Sequence, residues 1–372
     1  MHLHKWVVLV VILSLLPGCW DAREIENRSS VVATAIDTHP QGYEVTVQIP
    51  VPMKIAGSGG QGGSDGGQGA VDILSAHGST LSDAFDKIRY QSNQDIFFGN
   101  NRLVLIGEKL AKRGIDPMLD FIRRSPEVRR RQWTVVVKGK AKDSLRVNTK
   151  LEQIPMEYIL SMLEEGIKDG IFLREGLNDF LEDLTNPAKD PALNYLAITN
   201  GQIKWLGLAL FHGEKMKGLF DRKVTRAVIQ VKYGDLGEST DASCVKVPGE
   251  IVFDPKKLKR NITTHEVDGK PKIRVEVEVE GKVVERDCNM RLDEPKNLAI
   301  LEKSIKREYE VRTRHAIKRA QKLGTDVFNF GDIIRTHHPR LWKKIDWNKE
   351  FPRVDVDVVY HVVIRRIGMQ AR

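Results

Sequence analysis

Residues 272–323 restrict the fold more tightly than any other stretch. Apolar and charged residues alternate over 272–285, which places Ile273, Val275, Val277 and Val279 on one buried strand face. Glu276, Glu278 and Glu280 then share the solvent face, so these three carboxylates need no catalytic reading. An amphipathic helix follows over 294–323, roughly 40 to 45 Å long. Leu298, Leu301, Ile305, Tyr309, Ala316, Ala320 and Leu323 form its apolar stripe. Lys303, Lys306, Arg307, Arg312, Arg314, Lys318 and Arg319 crowd the opposite side, which reads as solvent surface or as a docking face for an acidic loop. A last apolar strand is predicted over 354–364.

The 372 residues predict two or three domains. In the first half, strands are predicted at 31–36, 42–51, 102–106 and 133–137. Helices are predicted at 79–92, 116–124, 154–168 and 176–184. Ser79 or Thr80 caps the first of these, and Leu81, Ala84, Phe85 and Ile88 share its apolar face. Asp116 and Pro117 read as the N-cap and first residue of the second. A breaker cluster at 185–191 separates this half from a β-rich one, with strands predicted at 203–211, 224–233 and 244–253 and a turn at 212–215. The domain reading is an N-terminal α/β region at 31–190 and a β-rich α/β domain at 200–372 that holds the helix 294–323. The fold class is mixed α+β and multi-domain, with mixed sheets, packed helices and no Rossmann or TIM-barrel pattern.

Residues 57–69 hold eight glycines in thirteen positions. Gly57, Gly59 and Gly62 match the spacing of a dinucleotide fingerprint, but no strand leads into them and no helix starts inside them. A flexible Gly-rich loop is the reading.

The N-terminus carries an address. Lys5 precedes an apolar run at 6–16, too short for a membrane-spanning helix of about 20 residues but suited to a signal peptide. The run ends in Leu16-Pro17-Gly18-Cys19, which resembles the lipobox of bacterial lipoproteins. The resemblance implies that residues 1–18 are removed, that Cys19 is the lipid-attachment residue, and that 19–30 form a lipidated tether.

Other chemistry is sparse. Three cysteines are too few for a disulfide scaffold or a four-cysteine zinc site. Cys244 and Cys288 could pair in an oxidising compartment or remain two buried thiols, and the sequence leaves both open. The net charge of +9 suits a membrane surface or acidic partner loops better than nucleic acid in an exported chain. Arg123, Arg124, Arg129, Arg130 and Arg131 read either as an anion or headgroup patch or as a solvated helix end; their distance along the chain from Cys19 favours the second. His337 and His338 before Pro339 read as a polar turn. No nucleophile–base, zinc-protease or P-loop motif is present, so the reading is a non-enzyme with no catalytic residue, cofactor or metal.

An ordered set of motifs resembles a known family. Cys19-Trp20-Asp21 with Glu24-Ile25-Glu26 opens it, followed by residues 42–49, by Gly78-Ser79-Thr80-Leu81 and by Phe98-Gly99-Asn100. Leu119-Asp120-Phe121, residues 135–141, Gly207-Leu208-Ala209-Leu210-Phe211, and Asp326-Val327-Phe328-Asn329-Phe330-Gly331 with Trp342, Trp347 and Phe351 continue it. Together these resemble the C subunits of spore germination receptors, the Ger(x)C lipoproteins, although Asn100 stands where that pattern has His. The resemblance implies a lipid-anchored, non-enzymatic subunit of a nutrient-germinant receptor. It would sit on the outer face of the bacterial cytoplasmic membrane, the spore inner membrane, with two integral-membrane receptor subunits as partners. A solute-binding lipoprotein of a transporter is the alternative.

Overall fold

The computed structural model describes residues 28–51, 70–149, 151–245 and 247–366. The signal-peptide stretch 1–18, Cys19 and most of the tether, and the Gly-rich stretch 57–69 lie outside the described residues.

In chain order the first elements are β1 (Arg28–Ser30), β2 (Ala33–His39), β3 (Gly42–Pro50), β4 (Val71–Gly78) and α1 (Leu81–Arg89). Next come β5 (Asp95–Phe97), β6 (Leu103–Gly107), α2 (Glu108–Arg113), α3 (Asp116–Arg124) and β7 (Trp133–Val137). A 3₁₀ helix (Ala141–Arg146), α4 (Pro155–Lys168), α5 (Leu177–Thr185), β8 (Ala192–Thr199), β9 (Gln202–His212) and β10 (Lys215–Asp221) follow. These strands build an eight-stranded sheet in the order β10-β9-β8-β7-β6-β2-β3-β4, while β1 pairs with β5 alone.

The centre of the large sheet is parallel: β2 with β6, β6 with β7, β7 with β8. Parallel strands are covered on both faces, which is why Leu103–Gly107 and Trp133–Val137 are nearly unbroken apolar runs. One face packs α1, α3 and α5 through residues such as Phe85, Met118, Ile122 and Phe180. The other packs the 3₁₀ helix and α4 through Leu145, Met156, Ile159 and Leu163. Gln48 and Asp37 pin that second layer. Gln48 donates to the Leu145 carbonyl (2.9 Å) and accepts from the Met156 amide (3.2 Å), and Asp37 accepts from the amides of Ala141 and Lys142.

The rest of the chain forms α6 (Arg222–Val228) with a π turn (Ile229–Tyr233), β11 (Thr240–Ser243), β12 (Glu250–Val267), β13 (Lys270–Arg286), α7 (Pro295–Leu323), α8 (Phe330–His337), α9 (Pro339–Trp342), α10 (Trp347–Glu350) and β14 (Asp355–Arg366). The second sheet runs β11-β12-β13-β14, with β14 parallel to β13. As the alternation requires, Ile273, Val275, Val277 and Val279 are buried and α7 packs on that face. The fold is mixed α+β, with no Rossmann or TIM pattern.

Three sequence expectations change. The β-branched run at 224–233 is helical, because Asp221 caps it by accepting from the Val224 amide (3.0 Å). Val224, Ala227, Val228 and Val231 then share one buried face at helical spacing. The strand expected over 244–253 is broken: β11 ends at Ser243 and β12 begins at Glu250, with Gly249 at positive φ in the turn between. The basic side of α7 is also not all solvent surface. Arg312 donates to Thr240, Arg314 to the Val358 carbonyl (2.7 Å) and Arg319 to the Leu219 carbonyl (2.7 Å).

The breaker-rich divide near 191–201 falls inside the large sheet, since β8, β9 and β10 extend it beyond β7. Gly207 shows how closely these last strands approach. At φ +137° a Cβ there would lie 2.0 Å from the Phe220 carbonyl oxygen.

Cys244 and Cys288 form a disulfide that ties the end of β11 to the segment after β13, across a sequence separation of 44. Both are buried in the core of the second sheet. Closing a loop of this length removes entropy from the unfolded chain, so replacing both cysteines by serine should lower unfolding free energy by about 2 to 4 kcal/mol. Urea denaturation without reductant measures this; an unchanged midpoint would show that the bond does not form in the folded protein.

Candidate functional site

Two places gather the family-like motifs. The first is a cavity of about 320 Å³ between α1, α3 and the large sheet. Thr80 accepts from the Asp83 amide (3.1 Å) and so sets the start of α1, which turns Phe85 inward. Phe85 stacks on Phe121 of α3 (4.6 Å between centroids) and meets Phe98 edge-on (5.0 Å). The floor is polar: Thr34 donates to Asn101 (3.4 Å), and Asn101 donates to Gln132 (2.6 Å). Arg89 and Glu127 face each other at the mouth at 3.4 Å. Asn100 of the Phe-Gly-Asn motif does not line the cavity; it donates to Ser30 of β1 (3.1 Å). Aromatic walls over an amide floor suit an uncharged group or an inserted side chain. The lining holds the hydroxyls of Ser82 and Ser125 and the carboxylates of Asp86 and Glu127, with no Cys, His or Lys among them.

The second place is the seam between the two sheets. Asp326 is buried between α7 and α8. It accepts from the amides of Phe330 (3.1 Å) and Gly331 (2.7 Å) and from the Trp347 indole (3.1 Å). Its own amide donates to Asp190, which follows the breaker cluster (2.7 Å). The other Asp190 oxygen lies 2.8 Å from Nδ1 of His212, at the end of β9. Gly331 is required by packing, since a Cβ there would sit 2.4 Å from the Trp347 Nε1. Beside this network Lys232 reaches Glu175 (2.5 Å) and Asp183 (3.6 Å), Lys189 reaches Asp183 (3.2 Å), and Tyr233 donates to Glu175 (2.6 Å). Burial holds Asp183 above the usual carboxylate range despite these lysines.

The other sequence candidates stay apart. Arg124 pairs with Asp120 (2.8 Å) on α3, while Arg129, Arg130 and Arg131 are exposed before β7. His338 contacts Thr264 of β12 (3.0 Å) between α8 and α9. Glu276 and Glu280 face solvent, paired with Arg274 and Arg365. Among the described residues, no group of three or more His, Cys, Asp or Glu could hold a metal ion. The Asp190–His212 contact escaped sequence reading, because it depends on the antiparallel register of β8 and β9, which sets Ala192 opposite Leu210 and so brings Asp190 to His212.

Comparison with known proteins agrees with the motif order. A model described as "Spore germination protein N-terminal domain" matches residues 21–198, and one described as "Spore germination B3/GerAC like, C-terminal" matches 206–368. The chain belongs to the Ger(x)C, or GerAC-like, family of spore germination proteins. Spore germination protein KC of Bacillus subtilis (strain 168) is 29% identical over 98% of this chain and 95% of its own. Spore germination protein GerQC of Bacillus cereus is 23% identical over 98% and 99%. The crystal structure of the GerBC protein shares the fold, with a TM-score of 0.61 and 19% identity over 90% of this chain and 97% of that one. The Ger(x)C family is one of germination receptor subunits rather than enzymes. The border between its two models, at 198–206, falls in the β8–β9 hairpin and within one sheet.

The seam makes stability pH-dependent. Burial pushes the Asp326 carboxyl up to about 7, against the hydrogen bonds from Gly331 and Phe330. The unfolded value is about 4, so folding favours the protonated form. That contribution is complete below about pH 4 and is lost as pH rises to about 7. His212, raised by its hydrogen bond to Asp190, acts in the same direction: its contribution is present below about pH 6.5 and is lost as pH rises through the elevated value. Asp326→Asn should therefore flatten the fall in stability between pH 5 and 7. Asp326→Ala strands three buried donors and should cost roughly 3 kcal/mol or more at any pH. Denaturation midpoints across that range check both; parallel pH profiles for wild type and Asp326→Asn would refute the assignment.

Proposed function

We propose that this chain is a lipid-anchored, non-enzymatic C subunit of a nutrient-germinant receptor. It is held through Cys19 on the outer face of the cytoplasmic membrane that becomes the spore inner membrane. Two integral-membrane receptor subunits are its partners. The observation that carries the reading is the tandem family match, in order over residues 21–198 and 206–368. Leu16-Pro17-Gly18-Cys19 after an apolar run supports the anchor. No helix among the described residues is long and apolar enough to cross a membrane, so the reading assigns attachment to acyl chains.

The solute-binding lipoprotein is not favoured. Such a protein closes two lobes on a ligand in the cleft between them. Here the seam is filled by Asp190, Asp326 and Trp347, and one apolar core runs from Leu208 and Phe220 of the large sheet to Val277 and Tyr309 of the second.

Cys19→Ala should release the protein from membranes into the soluble fraction during an alkaline wash. Full retention of that variant would end the anchor reading. Crosslinking in spores should recover two multi-spanning proteins with the wild-type chain; recovery of transporter components instead would favour the alternative.

A further inference from the structure

The parallel strands β2, β6 and β7 start at one end of the large sheet, and that end collects unneutralised arginines. The Arg102 amide donates to the Val32 carbonyl (2.9 Å), and the Trp133 amide donates to the Arg102 carbonyl (2.9 Å). Val32 and Trp133 are thus two strand spacings apart, about 10 Å. Arg129, Arg130 and Arg131 lead directly into Trp133, and the chain from Cys19 enters through β1 and Val32. Remoteness in sequence, which favoured a solvated helix end, is cancelled by strand order. Arg28 is nine residues after Cys19, so an extended tether spans at most roughly 30 Å.

Charge at this end is unevenly balanced. Arg28 lies 4.0 Å from Asp95, Arg102 is 2.8 Å from Glu157, and Arg124 is paired with Asp120. Arg123, Arg129, Arg130 and Arg131 are exposed and make no ion pair among the described residues. The acid beside them is Asp179, which lines the same shallow depression as Arg130 and Arg131 and already accepts from the Gly176 amide (2.9 Å). Of the α7 cations, Arg312, Arg314 and Arg319 are engaged within the fold, while Lys303, Arg307 and Lys318 are exposed on a helix that packs on the second sheet.

We propose that Arg129, Arg130 and Arg131 form a surface that lies against the anionic headgroups of the membrane beside the lipid anchor. The partner is an anionic bilayer, recognised by charge and not by a lipid-specific pocket. The tether confines this end of the sheet near the bilayer, and arginines within a Debye length of it add attraction and set which end of the molecule faces the membrane. This rests on the lipid-anchor reading above.

The test uses the unacylated chain from residue 20 to 372, which retains every described residue. Co-sedimentation is measured with vesicles of equal parts phosphatidylglycerol and phosphatidylcholine, and with phosphatidylcholine alone. Each arginine near an anionic surface is worth about fivefold in partitioning. Replacing all three by Gln should therefore weaken binding to the phosphatidylglycerol vesicles by about a hundredfold at low salt. The matched variant Lys256→Gln, Lys257→Gln, Lys259→Gln, on exposed positions of β12, should stay within about twofold of the parent. These are exposed positions, so all variants should fold, and an unchanged melting temperature confirms it. The proposal is overturned if the arginine variant binds like the parent, if the lysine variant loses as much, or if the parent does not prefer the anionic vesicles. It is likewise overturned if the arginine variant keeps vesicle binding and loses a crosslink to a protein partner. None of these outcomes bears on the anchor, which the Cys19→Ala release experiment reads separately.

Discussion

The helix α7 is the constraint on which the second half of the molecule depends. Its apolar stripe buries the inner face of the β12–β13–β14 sheet, with Tyr309 stacked on Tyr360 at 5.1 Å. Its polar residues complete the edge of β14. Arg314 donates to the Val358 carbonyl, Glu310 accepts from the Tyr360 amide (3.2 Å) and Glu302 accepts from the Ile364 amide (2.9 Å). The lengths agree: twelve helical residues rise about 18 Å and six strand residues about 20 Å, so helix and strand stay in step while running in opposite directions. An unpaired edge strand of twelve residues invites association with other chains; here a helix occupies three of its backbone groups, at Val358, Tyr360 and Ile364. The same helix reaches the large sheet through Arg319 and the carbonyl of Leu219.

The seam completes this arrangement and explains a motif. Asp326, Phe330, Gly331 and Trp347 are spread over a sequence stretch that reads as a mere family signature. In the fold they make one buried bracket around Asp326, which Asp190 and His212 join to the large sheet. The bracket and the shared apolar core thus join the two sheets into one packed unit.

Much of the fold was legible because its elements are strongly patterned. The strand at 42–50 alternates in sequence although Thr46 and Gln48 are buried as well, the strand at 133–137 is a nearly continuous apolar run, and α1 with its Thr80 cap, α4, α5 and α7 show the helical spacing of buried residues that a single sequence displays. The run from Val224 was misread because β-branched residues suggest a strand, while the deciding cap, Asp221, lies just before it. The break between β11 and β12 was hidden because apolar residues flank both sides of the turn at Gly249. The breaker cluster at 185–191 announced a boundary that strand pairing does not respect, since β8 continues the sheet from β7.

By itself the sequence determined the class of the molecule: mixed α+β layers, a long helix on an alternating strand, a family resemblance in ordered motifs, and an N-terminus read as exported and acylated. Those are properties of local pattern and of order along the chain. Only the tertiary structure decided that Cys244 meets Cys288, that Asp190 meets Asp326, and that Arg129, Arg130 and Arg131 lie near the entry of the tether. The reason is physical. Each of these depends on which strands are neighbours, and strand order is set by the burial of both sheet faces together, a quantity that no stretch of sequence carries alone.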